Sequence, residues 1–435
     1  MKKQLTLIGM LFISGISFAQ TDRLWSEGSR KASSEIFENK NGINNPKVYN
    51  LDVNGLKNAL AEAPKRLTAG EKSELIISFP NSEGRMENFK VRENSNFAPE
   101  LAAKYPDIKS YVGQGLDDPN STVYFSVSPL GLSSMEIYGD KSAVFIEPYT
   151  KDLSSYVVYR KSDKKDDLNK FECTVVEAAQ KGVSNSALAA RPNADDAKLR
   201  TFRLALSCTG EYTTYFGGTK AHALAAMNNT MTRVNGVFEK DFAARMVLIA
   251  NNDAVIYTNP ATDPYSDANI GVSANAYTDP NSWSLQLKNV LETNIGVTNY
   301  DIGHLLGRSG QGGMAGCIGC VCINTTIPNL SNGKGSGFTS PGVNGIPSGD
   351  NFDIDYVAHE MGHQFGGNHT FSMKFAGTGF NMEPGSGSTI MGYAGITNQD
   401  IQPHSDAFFH AISIQQITNN IKAKTCSVNT NTGNS

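Results

Sequence analysis

Apolar positions along this chain change their spacing about halfway. Up to residue 160 they alternate with polar ones over short runs, at 89–91, 123–127 and 143–146, each bounded by Asp, Asn, Pro or Gly. Alternation with period two sets one strand face against a core, so this half predicts a small β-rich domain. From about residue 199 strand and helix patterns take turns. Phe202, Leu204 and Leu206 share one strand face, whereas Leu224, Met227, Met231, Val234 and Phe238 recur at helical steps. A buried strand is expected at 246–249, a helix through Leu287, Leu291 and Ile295, a strand at 301–306, and a last helix through Ile414, Ile417 and Ile421. Such an order argues for a mixed sheet with helices packed on it, an α/β (α+β) fold. Residues 181–198, small, polar and without a period, read as an exposed linker open to proteolysis.

The expected organisation is therefore a β-rich unit over 20–180, the linker, an α/β unit over 199–426 and a disordered polar tail over 427–435. Residues 1–19 precede these. Lys2 and Lys3, a short apolar core and the small residues Ser17 and Ala19 describe a cleavable signal peptide, with the mature chain starting at Gln20. The core is shorter than the roughly 20 residues of a membrane span, so no span is expected after its removal and the location expected is extracellular. A formal net charge of −4 gives no basic footprint and argues against nucleic acid. Cysteines of an exported chain are read as bridges. Cys322 with Cys426 is the favoured pair, although connectivity does not follow from sequence. The mixed-charge run 161–167 reads as a solvated loop.

The candidate chemistry lies in His359-Glu360-Met361-Gly362-His363, followed by Gly366 and His369. Residues four apart lie on one helix face, so His359 and His363 can offer two imidazoles to one ion. Gly366 can enter the left-handed region and turn the chain so that His369 supplies a third. Three protein ligands leave a zinc ion one open position, and Glu360 sits beside it as a general base. This pattern implies a zinc endopeptidase acting on protein or peptide substrates. The glycine-rich segment 311–316 suits an edge strand that pairs with an extended peptide, or merely a loosened loop. His222, His304, His404 and His410 lack ligand spacing and are assigned structural roles.

With Met391 in the turn Ser388-Thr389-Ile390-Met391-Gly392-Tyr393, these motifs resemble the metzincins, whose signature is HExxHxxGxxH followed by a methionine turn. Residues 199 to 426 resemble adamalysin-like (reprolysin-type) catalytic domains, particularly secreted bacterial members, and Tyr393 after Met391 is similar to pappalysins and astacins. The resemblance implies a zymogen in which the N-terminal unit is a prodomain and intramolecular inhibitor. Tyr393 is a candidate for stabilising the oxyanion, or else a pocket wall. Cys173 either ligates the zinc as a latch or forms a disulfide, with Cys208 as candidate partner. Calcium sites occur in the resembled family, but no Asp-rich loop here establishes one. The alternative function is a secreted binding or adhesion protein whose zinc is structural.

Overall fold

The computed structural model of the chain describes residues 24–28, 34–37, 42–44, 46–66, 73–164, 171–173, 196–324, 333–341, 345–373 and 380–432. The expected leader at 1–19 and residues 181–195 of the expected linker lie outside these. Among the described residues no helix is long and apolar enough to cross a membrane.

The N-terminal half is a nine-stranded antiparallel sheet. Its strands are β1 (Trp25–Glu27), β2 (Lys47–Leu51), β3 (Ile76–Pro80), β4 (Met86–Glu93), β5 (Lys109–Gly115), β6 (Thr122–Ser128), β7 (Gly131–Ile137), β8 (Val144–Pro148) and β9 (Ser155–Arg160). They run in the order β1-β2-β9-β8-β7-β6-β5-β4-β3. Two helices accompany them: α1 (Val53–Leu60), capped by the Asp52 side chain accepting from the Gly55 amide, and α2 (Pro99–Lys104), which opens on proline. Period-two alternation here feeds two cores. Val123, Phe125 and Val127 of β6 join Trp25, Phe79 and Phe89 on one face, while Tyr124 points the other way with Met135 and Phe145. Strand β7 is consequently buried along its whole length.

The second half holds β10 (Glu172–Cys173), β11 (Lys198–Cys208), β12 (Ala244–Leu248), β13 (Ile302–Leu306), β14 (Gly312–Met314), β15 (Gly337–Thr339) and β16 (Val428–Asn431). The sheet is mixed, in the order β10-β14-β15-β13-β11-β12, with β14 antiparallel to β15 and β16 antiparallel to β11. Its helices are α3 (Gly210–Tyr215), α4 (Lys220–Phe242), α5 (Ala268–Gly271), α6 (Trp283–Asn294), α7 (Ala358–Phe365) and α8 (Ala411–Lys422). The α/β expectation holds, and α4, α6 and α8 carry the apolar stripes read from the sequence.

Two expectations are corrected. Residues 428–431 of the supposedly disordered tail form β16, pairing with the first half of β11 while β13 pairs with the second half. Ladder hydrogen bonds come from the backbone, so a polar segment anchored by the Cys322–Cys426 disulfide can supply them without apolar side chains. In the charged run after residue 160, Lys161 is buried 2.6 Å from Asp355 and Lys164 pairs with Asp350. Those carboxylates precede α7, and they draw in a segment that composition alone leaves in water.

Helix α4 joins the halves. Its apolar residues share one core with Tyr124, Met135 and Phe145 of the N-terminal sheet, Gly236 lying directly against Tyr124 and Met135, and polar contacts add to this joint. Asn96 donates to Asn228 at 3.1 Å and Thr232 at 2.9 Å and accepts from Asn235 at 2.9 Å. Arg233, buried over the Phe145 ring, reaches Glu147 at 2.6 Å from the sheet and Asp353 at 2.9 Å.

Candidate metal centre

A π-helical stretch over Asn351–Val357 runs directly into α7, which carries the HExxH motif. At its end Gly366 takes φ of 118°, and the Gly366 and Gly367 amides donate to the His363 and Gly362 carbonyls. Only glycine enters this region freely, and the turn brings His369 back over the helix. The three Nε2 atoms converge: His369 lies 3.2 Å from His359 and 3.0 Å from His363. His359 Nδ1 faces the Ile390 carbonyl at 2.6 Å and His363 Nδ1 the Gly367 carbonyl at 2.7 Å. A carbonyl can only accept, so each Nδ1 carries the proton and each Nε2 turns its lone pair inward. Burial pushes His359 down to about 4, against the Ile390 hydrogen bond, and drives His363 and His369 well below the usual range. Neutral imidazoles are the ligating form.

The methionine turn underlies this group. Met391 is fully buried with its sulfur against Gly362, where a Cβ would come within 2.7 Å of it. The turn's backbone also ties the ligands together, since the Met391 carbonyl accepts from the Thr370 amide while Ile390 serves His359. Glu383, which no periodicity marks, fastens the segment after the third histidine to the turn. It accepts from Thr370 Oγ1, from Thr389 Oγ1 at 2.7 Å, and from the Ser388 and Thr389 amides at 2.8 and 3.0 Å. Burial alone would raise the Glu383 carboxyl, but these donors hold it below the usual range.

Glu360 is fully buried, and burial pushes its carboxyl up to about 8, against the Cys173 thiol beside it. Its oxygens make no hydrogen bond to nitrogen or oxygen groups among the described residues. A buried carboxylate beside three inward lone pairs is a donor set that lacks only positive charge, and a divalent cation fits it. Residues 312–314 of the segment expected as an edge strand form β14, which is paired on both sides, by β10 and β15, and Gly313 has a reason beyond looseness. A Cβ on Gly313 would sit 2.5 Å from Glu360 Oε1.

Cys173 joins this centre. Its sulfur and the three imidazoles present ligand atoms all within 4.8 Å of one another. The alternative pairing with Cys208 is overturned, because both carry thiols and Cys208 lies buried 3.2 Å from Thr213 Oγ1. Strand β10 brings Cys173 there by pairing parallel with β14, Cys173 opposite Gly313. Tyr393 stacks edge-on to His369 at 4.7 Å, and its hydroxyl donates to the Cys173 carbonyl at 3.4 Å.

The remaining histidines stay outside. His304 has both ring nitrogens engaged at 2.8 Å, by Gln364 and Thr339, and burial lowers it to about 4. His404 faces Asp355, and His410 caps α8. A second disulfide, Cys317–Cys320, closes the loop after β14, as expected of structural bridges.

A family model described as Metallo-peptidase family M12B Reprolysin-like matches residues 198–422, the stretch from β11 to the end of α8. No curated protein sequence matches the chain.

Proposed function

Because this chain belongs to the reprolysin-like M12B metallopeptidase family, whose model covers more than half of it, we propose that it is an exported zinc endopeptidase made as a zymogen. The observation that carries this is the convergence of three Nε2 lone pairs beside a buried carboxylate, with a thiol from the upstream half completing the set. His359, His363 and His369 would hold zinc, which when bound draws electron density from the scissile carbonyl and lowers the pKa of water in its open position to roughly 7. Glu360 takes the proton of the attacking water on a carboxylate oxygen and returns it to the leaving amine. Strand β14 lays the substrate backbone along the cleft by ladder hydrogen bonds. Tyr393, which donates to a peptide carbonyl of the segment now in the cleft, donates there to the substrate carbonyl as charge grows on it. Calcium enters no step. Export draws support from the N-terminal pattern and from two disulfides.

Latency is supported by Cys173, whose sulfur lies with the three imidazole nitrogens within 4.8 Å of one another and would compete with water for a bound ion. The full chain with Cys173→Ser is expected to cleave denatured casein about tenfold faster or more than the unaltered chain. Chelation should abolish the cleavage and zinc restore it. The same four residues favour a second reading, since four protein ligands make a closed structural zinc site, as in a secreted binding or adhesion protein. Under that reading the Cys173→Ser chain loses zinc affinity and stays inert toward casein.

A further inference from the structure

We propose that the face of Tyr356 beside the metal centre is an aromatic-binding subsite, filled in the full chain by Phe171 and selecting substrates with an aromatic side chain at that place. The inference rests on the reading of the cleft as a peptide-binding site. Phe171 and Tyr356 stack with ring centroids 4.0 Å apart and planes 8° from parallel, and both are buried. Tyr356 lies in the π-helical stretch that runs into α7, and Phe171 and Glu360 both reach Gly313, which sets the stacked pair beside the metal centre. Phe171 precedes Cys173 by two. In an extended segment residues two apart point the same way, and Cys173 turns toward the imidazoles while Glu172 between them is exposed. The backbone is in register with the sheet, the Glu172 amide donating to the Gln311 carbonyl at 3.1 Å.

The slot therefore reads an extended peptide at two places: one at the metal, the other two residues away against Tyr356. Nothing in that geometry depends on the peptide belonging to this chain. Gly313 opens the second place as well as the first, since a Cβ there would meet the Phe171 ring tip at 2.7 Å. Once Phe171 leaves, a flat apolar ring face next to the reacting centre faces water, and another ring covers it best. Aromatic pairs gain from stacking beyond the area they bury.

The test uses the full chain with Phe171→Ala and Cys173→Ser, which empties the slot and leaves the N-terminal sheet in place. With Glu360→Gln added to prevent cleavage, a fluorescein-labelled peptide of residues 169–175, serine replacing Cys173, is titrated by anisotropy. The peptide is expected to bind about tenfold tighter or more than its Phe171→Ala version. Tyr356→Leu in the protein should bring that ratio toward one and Tyr356→Phe should keep it. Equal binding of the two peptides overturns the proposal, and that comparison needs no Tyr356 variant to fold. Casein cut by the chain that retains Glu360 is then mapped by mass spectrometry, with aromatic residues expected to be enriched at one position relative to the cut. Cleavage without such enrichment overturns the subsite and leaves the peptidase standing. Absence of any cleavage with the binding ratio intact does the reverse.

Discussion

Glutamine in place of Glu360 is expected to slow peptide hydrolysis by about 10²- to 10⁴-fold while leaving zinc in place. The side chain keeps its shape, so it still fits against Gly313, and the stripe of His359 and His363 on α7 is undisturbed. What disappears is the basic oxygen that takes a proton from water. The loss should fall on kcat with KM little changed, because the carboxylate acts on the reacting atoms rather than on the bound peptide. Measured in the Cys173→Ser chain, with zinc content determined in parallel, the result separates three cases. Near-normal turnover removes Glu360 from the mechanism, loss of metal makes it part of the binding set, and an inert, zinc-loaded protein is the outcome expected.

Arg233→Ala should destabilise the full chain by about 3–5 kcal/mol, the largest stability effect anticipated for a residue outside the metal centre. The guanidinium is buried, packs on Phe145 and is shared between Glu147 of the N-terminal sheet and Asp353 of the stretch leading into α7. Removing it strands two carboxylates away from water. Thr230 Oγ1, 2.7 Å from Asp353, is a neutral donor and cannot replace the charge. Neutralising both acids in the same chain, as Glu147→Gln with Asp353→Asn, should recover part of the loss. Denaturant unfolding reads both variants, and a loss below about 1 kcal/mol for Arg233→Ala would show that the triad does not hold the halves together.

The metal group was legible because everything it needs is local: a helical period, a glycine able to turn left-handed and a third histidine soon after. The helices were legible for the same reason. Periodicity, though, marks the apolar stripe of α4 and says nothing of what covers Asn228, Thr232 and Asn235 on its other side. Those polar residues meet Asn96 and the sheet, contacts more than 130 residues away in sequence. Lys161 and Glu383 were missed likewise, since a charge that finds a distant buried partner carries the same local pattern as one in water. Cys173 has two readings in the sequence, and the pairing of β10 with β14, which sets it beside the imidazoles, excludes the disulfide with Cys208. Strand β16 left no mark in the pattern because its hold on β11 is through the backbone.

The mixed apolar and polar character of the α4 joint bears on how firmly the two halves hold each other. Parting the halves would expose Tyr124, Met135 and Phe145 along with amides, hydroxyls and an arginine, so apolar burial as well as pairing opposes separation. A cut in the connecting chain would therefore leave the halves held together until that surface finds other cover.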